Sequence, residues 1–254
     1  MKRVLVIGIG AGGADLLTVQ AIDALNEADV IFTFDKGAEK GDLVQLRREV
    51  CERYRRGKPY SLVEVPSPPR DASAPSYKSG VAAWHKERAE NVSALIRDAV
   101  PAEGCGAFLV WGDPAFYDST LRILEAIATE GAEPFEYEVI PGISSIQLLA
   151  ARHRIPLNAI GEPVLLTTGR KIAEAFPQEQ DSVVVLLENG GGLESLAGHD
   201  VEIFWGAYLG TKDEVLIAGR VADVLEDILR VRRARRAEKG WIMDTYLLRR
   251  RRSA

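Results

Sequence analysis

The sequence has few of the residues from which disulfide frameworks and metal sites are built. Its 254 residues include two cysteines, Cys51 and Cys105, and three histidines, His85, His153 and His199. Two cysteines are too few for a disulfide framework or a zinc site, and the histidines show no metal-ligand spacing. We therefore expect neither a disulfide scaffold nor a metal centre.

Long hydrophobic runs and an excess of positive charge are also missing. No apolar run approaches the roughly eighteen residues that a membrane-spanning helix needs. The formal net charge of -5 argues against a general nucleic-acid-binding protein. Hydrophobic residues make up 46% of the chain and charged residues 27%, which is ordinary for a globular protein. These features predict no nucleic-acid or membrane partner, and we interpret the apolar run at the start of the sequence as the first strand of a cytoplasmic protein.

Apolar runs alternate with helical patterns through the first half of the chain. Near-continuous apolar runs predict strands at 3–10, 29–35, 60–66 and 106–113, and the segments between them predict helices at roughly 16–27, 42–55 and 80–99. Strands of this character suit a parallel sheet that is covered on both faces. This half should therefore form an α/β domain with a mostly parallel sheet.

The second half predicts a mixed sheet. Further strands are expected at 135–142, 163–169, 181–190, 201–210, 213–220 and 241–248. A short turn joins the fourth of these segments to the fifth, which requires an antiparallel pair. We place the boundary so that residues 1–114 form the N-terminal α/β domain and residues 115–254 form a C-terminal α/β domain with a mixed sheet.

The first loop has the spacing of a dinucleotide-binding fingerprint. Gly8, Gly10 and Gly13 fit G-x-G-x-x-G directly after an apolar run, and Asp35 closes the next apolar run. In that motif the glycines approach a pyrophosphate and the acid binds a ribose. An NAD-dependent oxidoreductase is therefore one interpretation of the sequence.

Several other loops that are rich in small residues also follow predicted strands. The full set lies at 8–13, 111–120, 139–145, 167–170 and 205–210. The ends of strands are where α/β sheets place their ligands, and glycine lets the backbone approach a ligand closely. Because the loops come from both halves, they predict a cofactor cleft between two domains.

This ordered set resembles the tetrapyrrole methylases, a family of S-adenosylmethionine-dependent enzymes. The matching segments are GIGAGGADLLT at 8–18, GDP at 112–114 followed by Phe116-Tyr117, PGISS at 141–145, and GT at 210–211 followed by DE at 213–214. One departure is Ala11, which stands where the family's first loop usually has proline. Longer stretches, including 109–124, 139–158, 205–214 and 240–250, resemble the branch that methylates carbon 1 of precorrin-5 with release of acetate in cobalamin synthesis.

The resemblance implies a set of residues that bind S-adenosylmethionine. They are Gly10, Ala11, Gly12, Trp111, Gly112, Asp113, Phe116, Ser144, Ser145, Leu187, Gly206 and Ala207. It also implies that precorrin-5 and water are the substrates and that the protein forms a homodimer. Methyl transfer from a sulfonium needs mainly alignment of donor and acceptor and exclusion of water.

Removal of the two-carbon acyl group requires more from the side chains. Water must add to the acyl carbonyl, and the candidates for general acid–base catalysis are Asp35, His85, Asp113 and Tyr117. The carboxylates of a tetrapyrrole call for arginines, and the candidates near predicted loops and strand ends are Arg70, Arg122, Arg152, Arg154 and Arg170. The basic cluster at 230–239 is interpreted as a solvated helix face.

Other functions remain open at this point. Besides the nicotinamide-dependent oxidoreductase, they are a methylase of the same family that acts on a different precorrin, and a regulatory protein that binds the cofactor without turnover. A methylase of the diphthine type shares the loop set but lacks the long stretches quoted above.

Overall fold

The computed structural model describes residues 1–34, 41–65, 77–131 and 134–250. The chain forms two compact units, Met1–Ser144 and Ser145–Ala254. Within the described ranges, no helix is long and apolar enough to cross a membrane, and no cluster of His, Cys, Asp and Glu side chains could hold a metal ion.

The first unit contains a parallel sheet with helices between its strands. Its elements are β1 (Lys2–Gly8), α1 (Val19–Glu27), β2 (Val30–Phe34), α2 (Gly41–Tyr54), β3 (Ser61–Val65), α3 (Tyr77–Ala99), β4 (Cys105–Val110), α4 (Thr120–Glu130) and β5 (Phe135–Ile140). The strand order is β3-β2-β4-β1-β5, and every pair is parallel. The predicted parallel α/β arrangement is confirmed.

Both faces of this sheet are covered. On β1, Leu5 and Ile7 pack into a cluster that includes Leu25 of α1. Val6 points to the other face and packs into a cluster that includes Leu124 of α4. This alternation explains the continuous apolar run of β1, because a strand that is buried on both faces has no polar side.

The second unit contains the mixed sheet. Its elements are α5 (Ser145–His153), β6 (Leu165–Thr168), α6 (Gly169–Glu174), β7 (Ser182–Leu186), α7 (Gly191–Glu194), β8 (Val201–Ala207), β9 (Val215–Arg220), α8 (Val221–Lys239) and β10 (Asp244–Arg250). The order is β6-β7-β10-β8-β9; β6 and β7 are parallel, and the other pairs are antiparallel. The mixed sheet and the antiparallel pair of β8 and β9 were both predicted.

The division between the units lies later in the chain than the expected boundary at 114/115. Strand β5 belongs to the first sheet, where Ile140 pairs with Ile7 of β1. The first unit therefore extends to Ser144. The apolar pattern at 135–142 predicts a strand, but it carries no information about which distant strand becomes its partner.

Candidate active site

The loops that follow β1, β4 and β5 meet at one edge of the first sheet. In the parallel register, Gly8 at the end of β1 lies beside Val110 at the end of β4, and Ile7 lies beside Ile140 at the end of β5. In the strand order, β2 lies on one side of the adjacent pair β4 and β1, and β5 lies on the other. The chain runs from β1 to β2 and from β4 to β5, so the two connections leave the pair in opposite directions. This edge is therefore a topological switch point, where open α/β sheets place their ligands.

Three glycines let these loops pack backbone against backbone. A Cβ added to Gly142 would lie 2.2 Å from the carbonyl oxygen of Gly112, and one added to Gly8 would lie 2.6 Å from the backbone nitrogen of Gly142. No larger residue fits at either position without moving a neighbouring backbone. The glycines of the first, second and third loops thus occupy a single tightly packed junction.

A second junction joins the first loop to the loop after β4. Gly10 and Gly112 each donate a backbone hydrogen bond to the other's carbonyl oxygen, with N···O distances of 3.2 and 2.8 Å. Both have positive φ, +79° and +71°. Ala11, at the family's proline position, follows Gly10 and is 1% exposed. The loop is therefore held by backbone pairing and burial even though the proline is missing.

Asp113 uses both carboxylate oxygens to hold loop backbone. Its Oδ2 accepts a hydrogen bond from the backbone N–H of Gly142 at 2.8 Å, and its Oδ1 accepts one from the N–H of Ala115 at 2.8 Å. The side chain thus ties the loop after β4 to the loop after β5. These two contacts give Asp113 a structural role in holding the loops together.

Tyr117 lies in the same loop with an unusual backbone. Its φ is +52°, and the residue is 46% exposed. A positive φ is rare for a residue with a bulky side chain, and such strain is concentrated at functional sites. The loop then enters α4, where the side chain of Asp118 accepts a hydrogen bond from the N–H of Thr120 at 2.7 Å.

The first loop does not have the geometry that dinucleotide binding requires. In that motif a helix begins at the glycines, and its N-terminus binds the pyrophosphate. Here a single 3-10 turn covers Ala14–Leu16, and α1 begins only at Val19, capped by the side chain of Thr18, which accepts a hydrogen bond from Ala21 N at 3.0 Å. Gly10 instead pairs with Gly112 in the loop after β4.

In the second unit, the candidate residues also lie along one sheet edge. Leu186 at the end of β7 lies beside Thr168 at the end of β6, and Ala207 at the end of β8 lies beside Asp244 at the start of β10. Leu187 follows directly, with a φ of +52° and 61% exposure. A large apolar side chain that is both strained and exposed is a candidate for ligand contact.

Two smaller features belong to the same edge. The hydroxyl of Thr245 in β10 donates a hydrogen bond to the Ser145 hydroxyl, at the first residue of α5, with an O···O distance of 3.1 Å. A Cβ added to Gly206 would lie 2.7 Å from a methyl carbon of Leu209 and 3.0 Å from one of Leu149. Ser145 and Gly206 thus have defined places in the packing between α5 and the sheet.

The candidate arginines of this unit are not brought together. Arg170 follows β6 at the start of α6, on the same edge as Leu187, and its guanidinium lies 3.9 Å from Glu174. Arg154 lies beyond the end of α5, remote from Ser145 at the helix start. Of these two arginines, Arg170 lies on the edge that carries Leu187, whereas Arg154 is separated from Ser145 by the length of α5.

The structure does not describe the side chains of three candidates. Asp35 and Arg70 are among the undescribed residues, and His85 lies on α3 with a side chain that is not described. The roles expected for them remain predictions.

A buried ion pair in the second unit was missed by the sequence analysis. The guanidinium Nε of Arg232 lies 2.9 Å from Oδ2 of Asp244, and the two side chains are 8% and 1% exposed. Burial raises the pKa of Asp244, and the positive charge of Arg232 opposes that rise. The expectation that 230–239 is a solvated helix face is therefore wrong at Arg232.

A signal for this burial was present in the sequence. Leu225, Ile228, Leu229 and Arg232 are buried on one face of α8. Their spacing of three and four residues is that of the inward face of a helix. Extending the apolar stripe by one turn would have placed Arg232 on the buried face despite its charge.

Comparison with known proteins agrees with this architecture. The model of the family described as Tetrapyrrole (Corrin/Porphyrin) Methylases matches residues 3–225. The chain is 49% identical over 249 residues to the precorrin-6A synthase [deacetylating] of Sinorhizobium sp, covering 98% of this chain and 95% of the relative.

Two solved structures share the fold. A putative cobalamin synthesis related protein (CobF) from Corynebacterium diphtheriae superimposes with a TM-score of 0.83 at 38% identity, covering 98% of each chain. A uroporphyrin-III C-methyl transferase from Thermus thermophilus, complexed with S-adenyl homocysteine, superimposes with a TM-score of 0.58 at 19% identity, covering 97% of this chain and 91% of that one. The predicted two-sheet fold and the methyltransferase class are thereby confirmed: the chain belongs to the tetrapyrrole methylase family.

Proposed function

We propose that the protein methylates carbon 1 of precorrin-5, using S-adenosylmethionine, and releases acetate to give precorrin-6A. The observation that carries this proposal is the 49% identity to a precorrin-6A synthase [deacetylating] over nearly the whole length of both chains. The relative named as a precorrin-2 C(20)-methyltransferase is 33% identical over only 68% of this chain, which favours precorrin-5 over an earlier precorrin.

The loops fit a ligand held largely by backbone. We propose that S-adenosylmethionine contacts the set named from the sequence: Gly10, Ala11, Gly12, Trp111, Gly112, Asp113, Phe116, Ser144, Ser145, Leu187, Gly206 and Ala207. The glycine junctions keep side chains out of the loop crossings, so backbone atoms can approach a ligand. The strained and exposed Leu187 offers an apolar contact on the second unit.

In methyl transfer, the protein acts mainly by positioning. S-adenosylmethionine supplies a methyl group that is already activated for displacement. The chain has to hold the donor in line with the acceptor carbon and exclude water. The packed junctions at Gly8, Gly10 and Gly142, together with the Asp113 hydrogen bonds, give the loops the rigidity that this alignment requires.

Acyl removal needs a proton donor or acceptor near the carbonyl. Water adds to the acyl carbonyl, the carbon–carbon bond breaks, acetate leaves, and the electron pair stays with the tetrapyrrole carbon that attacks the methyl group. Among the candidates with described side chains, Asp113 is engaged with two backbone N–H groups and Tyr117 is exposed. We therefore propose that the Tyr117 hydroxyl donates a hydrogen bond to the acyl oxygen as water adds.

Substrate carboxylates need cationic partners. Arg170 stands at the carboxyl end of β6, with a side chain that is 64% exposed and only loosely paired with Glu174. Its planar guanidinium can bind a carboxylate through two hydrogen bonds. We propose Arg170 as a contact for an acetate or propionate side chain of the substrate, and Arg70 as a second candidate.

The family resemblance also leads us to propose a homodimer in the cytoplasm. Tyr137 and Val139 on the outer strand β5 are 42% and 40% exposed, which gives this edge an apolar component. Cys51 and Cys105 are free thiols, consistent with a reducing compartment. Light scattering of the wild type and of Val139→Lys tests the dimer; a monomeric wild type would contradict it.

The function is tested by substrate choice. The purified protein is incubated with S-adenosylmethionine and either precorrin-5 or precorrin-2, and the products are analysed by mass spectrometry. Precorrin-5 should gain a methyl group and lose an acetyl group, whereas precorrin-2 should remain unchanged. Methylation of precorrin-2 alone would assign the protein to another step of the family. A parallel titration with NADH should show no binding.

A further inference from the structure

Leu187 adopts a conformation that its own side chain disfavours. It follows β7 with a φ of +52°, and 61% of the residue is exposed, so apolar burial does not hold it in place. Left-handed backbone is unfavourable for a residue with a Cβ, because the Cβ lies too close to the following carbonyl oxygen. Such a conformation persists only when the neighbouring contacts leave no alternative.

Glu188, the next residue, provides part of that restraint. One carboxylate oxygen accepts hydrogen bonds from the N–H groups of Gly190 and Gly192, at 2.5 and 3.1 Å. The other accepts one from the Tyr246 hydroxyl at 2.7 Å. Burial raises the pKa of Tyr246, so this hydroxyl stays protonated and donates. Gly169 leaves room for the carboxylate, because a Cβ there would lie 2.3 Å from it.

Arg232 supplies the remaining restraint. Its Nη2 donates a hydrogen bond to the backbone oxygen of Glu188 at 2.9 Å, while its Nε donates one to Asp244 at 2.9 Å. The same Asp244 oxygen accepts a hydrogen bond from the indole of Trp205 at 3.0 Å. Asp244 lies beside Ala207 in the sheet. A single guanidinium thus links the segment after β7 to Asp244 at the start of β10.

This network is a poor device for stability alone. Removing two charges from water is costly, and apolar residues of similar volume often stabilise a protein as well as a buried ion pair does. What the pair provides is a fixed geometry between two backbone segments, since the planar guanidinium directs its donors along set directions. One of these segments carries Leu187, and the other pairs with Ala207 through Asp244; Leu187 and Ala207 are both candidate cofactor contacts.

We propose that Arg232 is a positioning residue for the methyl donor. Through Glu188 it holds Leu187 in its strained and exposed conformation, so that the leucine forms a preorganised apolar contact with S-adenosylmethionine. This inference rests on the proposed function. It assigns a role to a residue of α8 that need not touch the ligand.

The test is a double-mutant cycle between Arg232 and Leu187. The dissociation constant of S-adenosylhomocysteine is measured by calorimetry, well below the unfolding temperature, for the wild type, Arg232→Lys, Leu187→Gly and the double variant. Lysine keeps the charge opposite Asp244 but loses the planar fork that reaches Glu188. Arg233→Lys is the matched control, because Arg233 is the next residue and is exposed.

Arg232→Lys should raise the dissociation constant about tenfold in the wild-type background and leave it unchanged in the Leu187→Gly background. The KM for S-adenosylmethionine should rise with it, whereas kcat at saturating donor and the KM for the tetrapyrrole should not change. Arg233→Lys should have no effect. If Arg232→Lys does not fold, Tyr246→Phe, which removes one donor to Glu188, should show the same dependence on Leu187 with a smaller effect.

Two outcomes would overturn the inference while leaving the proposed function intact. One is wild-type affinity in Arg232→Lys, and the other is an equal loss of affinity in both backgrounds, which would indicate a structural effect unconnected to Leu187. A wild-type protein that does not bind S-adenosylhomocysteine would contradict the proposed function itself, and the positioning role would fall with it.

Discussion

The carboxylate of Asp113 accepts a hydrogen bond from the backbone N–H of Gly142 at 2.8 Å. The two residues belong to loops that are distant in sequence but follow strands of the same sheet. Because the other oxygen of Asp113 holds Ala115 N, the side chain fixes its own loop and its neighbour together. The aspartate of the GDP motif at 112–114 thus has a structural role in the geometry of the two loops.

Asp113→Asn should weaken both stability and donor binding. An amide has one acceptor oxygen, so one of the two backbone N–H groups would face an NH2 group, at a cost of about 1–3 kcal/mol in the free energy of unfolding. Denaturant unfolding and calorimetry with S-adenosylhomocysteine measure the two effects. Asp227→Asn, at an exposed position on α8, is the control. Unchanged stability and affinity in Asp113→Asn would show that the hydrogen bonds do not hold the loops.

Gly142→Ala should destabilise the first unit. The added Cβ would lie 2.2 Å from the carbonyl oxygen of Gly112 and 2.8 Å from Gly8, so one of the loops must move. Overpacking of this kind costs about 1–3 kcal/mol, and the displaced loop should also lower donor affinity. Gly191→Ala is the matched substitution, because its Cβ would meet atoms no closer than 3.5 Å. Equal behaviour of the two variants in thermal unfolding would contradict the packed junction.

Tyr117→Phe should separate chemistry from binding. Loss of the hydroxyl should lower kcat by about 10²-fold or more, the range of general acid–base assistance, while the ring and the backbone conformation remain. The dissociation constant of S-adenosylhomocysteine should not change. Tyr137→Phe, at an exposed tyrosine on β5, should retain wild-type kcat. A fully active Tyr117→Phe enzyme would exclude the hydroxyl from acyl removal.

Stability should decrease at mildly acidic pH because of His153. Burial lowers the pKa of His153 below 6.5, against the opposing effects of its hydrogen bond to the Trp205 carbonyl oxygen and the charge of Glu214. At this residue the unfolded chain therefore binds more protons than the folded one, so the contribution is fully present above the unfolded pKa and is lost as pH falls through the lower folded pKa.

Unfolding experiments between about pH 7 and pH 5 measure how steeply the free energy of unfolding falls as the pH is lowered. His153→Gln should reduce this pH dependence. The control is His199→Gln in the same unit, where the ring stacks on Phe176; this variant should retain the pH dependence. The same slope in wild type and His153→Gln would show that another group is responsible.

Strand positions and loop order could be predicted from the sequence because they depend on local patterns. Helix α2 at Gly41–Tyr54 and strand β7 at Ser182–Leu186 lie within one or a few residues of the segments predicted from apolar periodicity. The glycine loops were found because close backbone approach demands glycine wherever it occurs. The family resemblance then supplied an order for these loops that no single motif carries.

The parts that escaped prediction depend on contacts between distant residues. The pairing of β5 with β1 places that strand in the first unit, and the hydrogen bond from Gly142 to Asp113 joins two loops that are distant in sequence. The burial of Arg232 was not predicted, because the surrounding basic residues indicated an exposed helix face. The first two depend on tertiary register, which composition and spacing do not determine.

The central claim is that one active site couples methyl transfer to acetate release. The most direct measurement is a turnover of precorrin-5 with S-adenosylmethionine carrying a labelled methyl group, in which labelled product and free acetate are quantified together. We expect label at carbon 1 and free acetate in equal amounts. Neither product should form when S-adenosylmethionine or precorrin-5 is omitted. Label incorporated without acetate, or at another carbon, would contradict it.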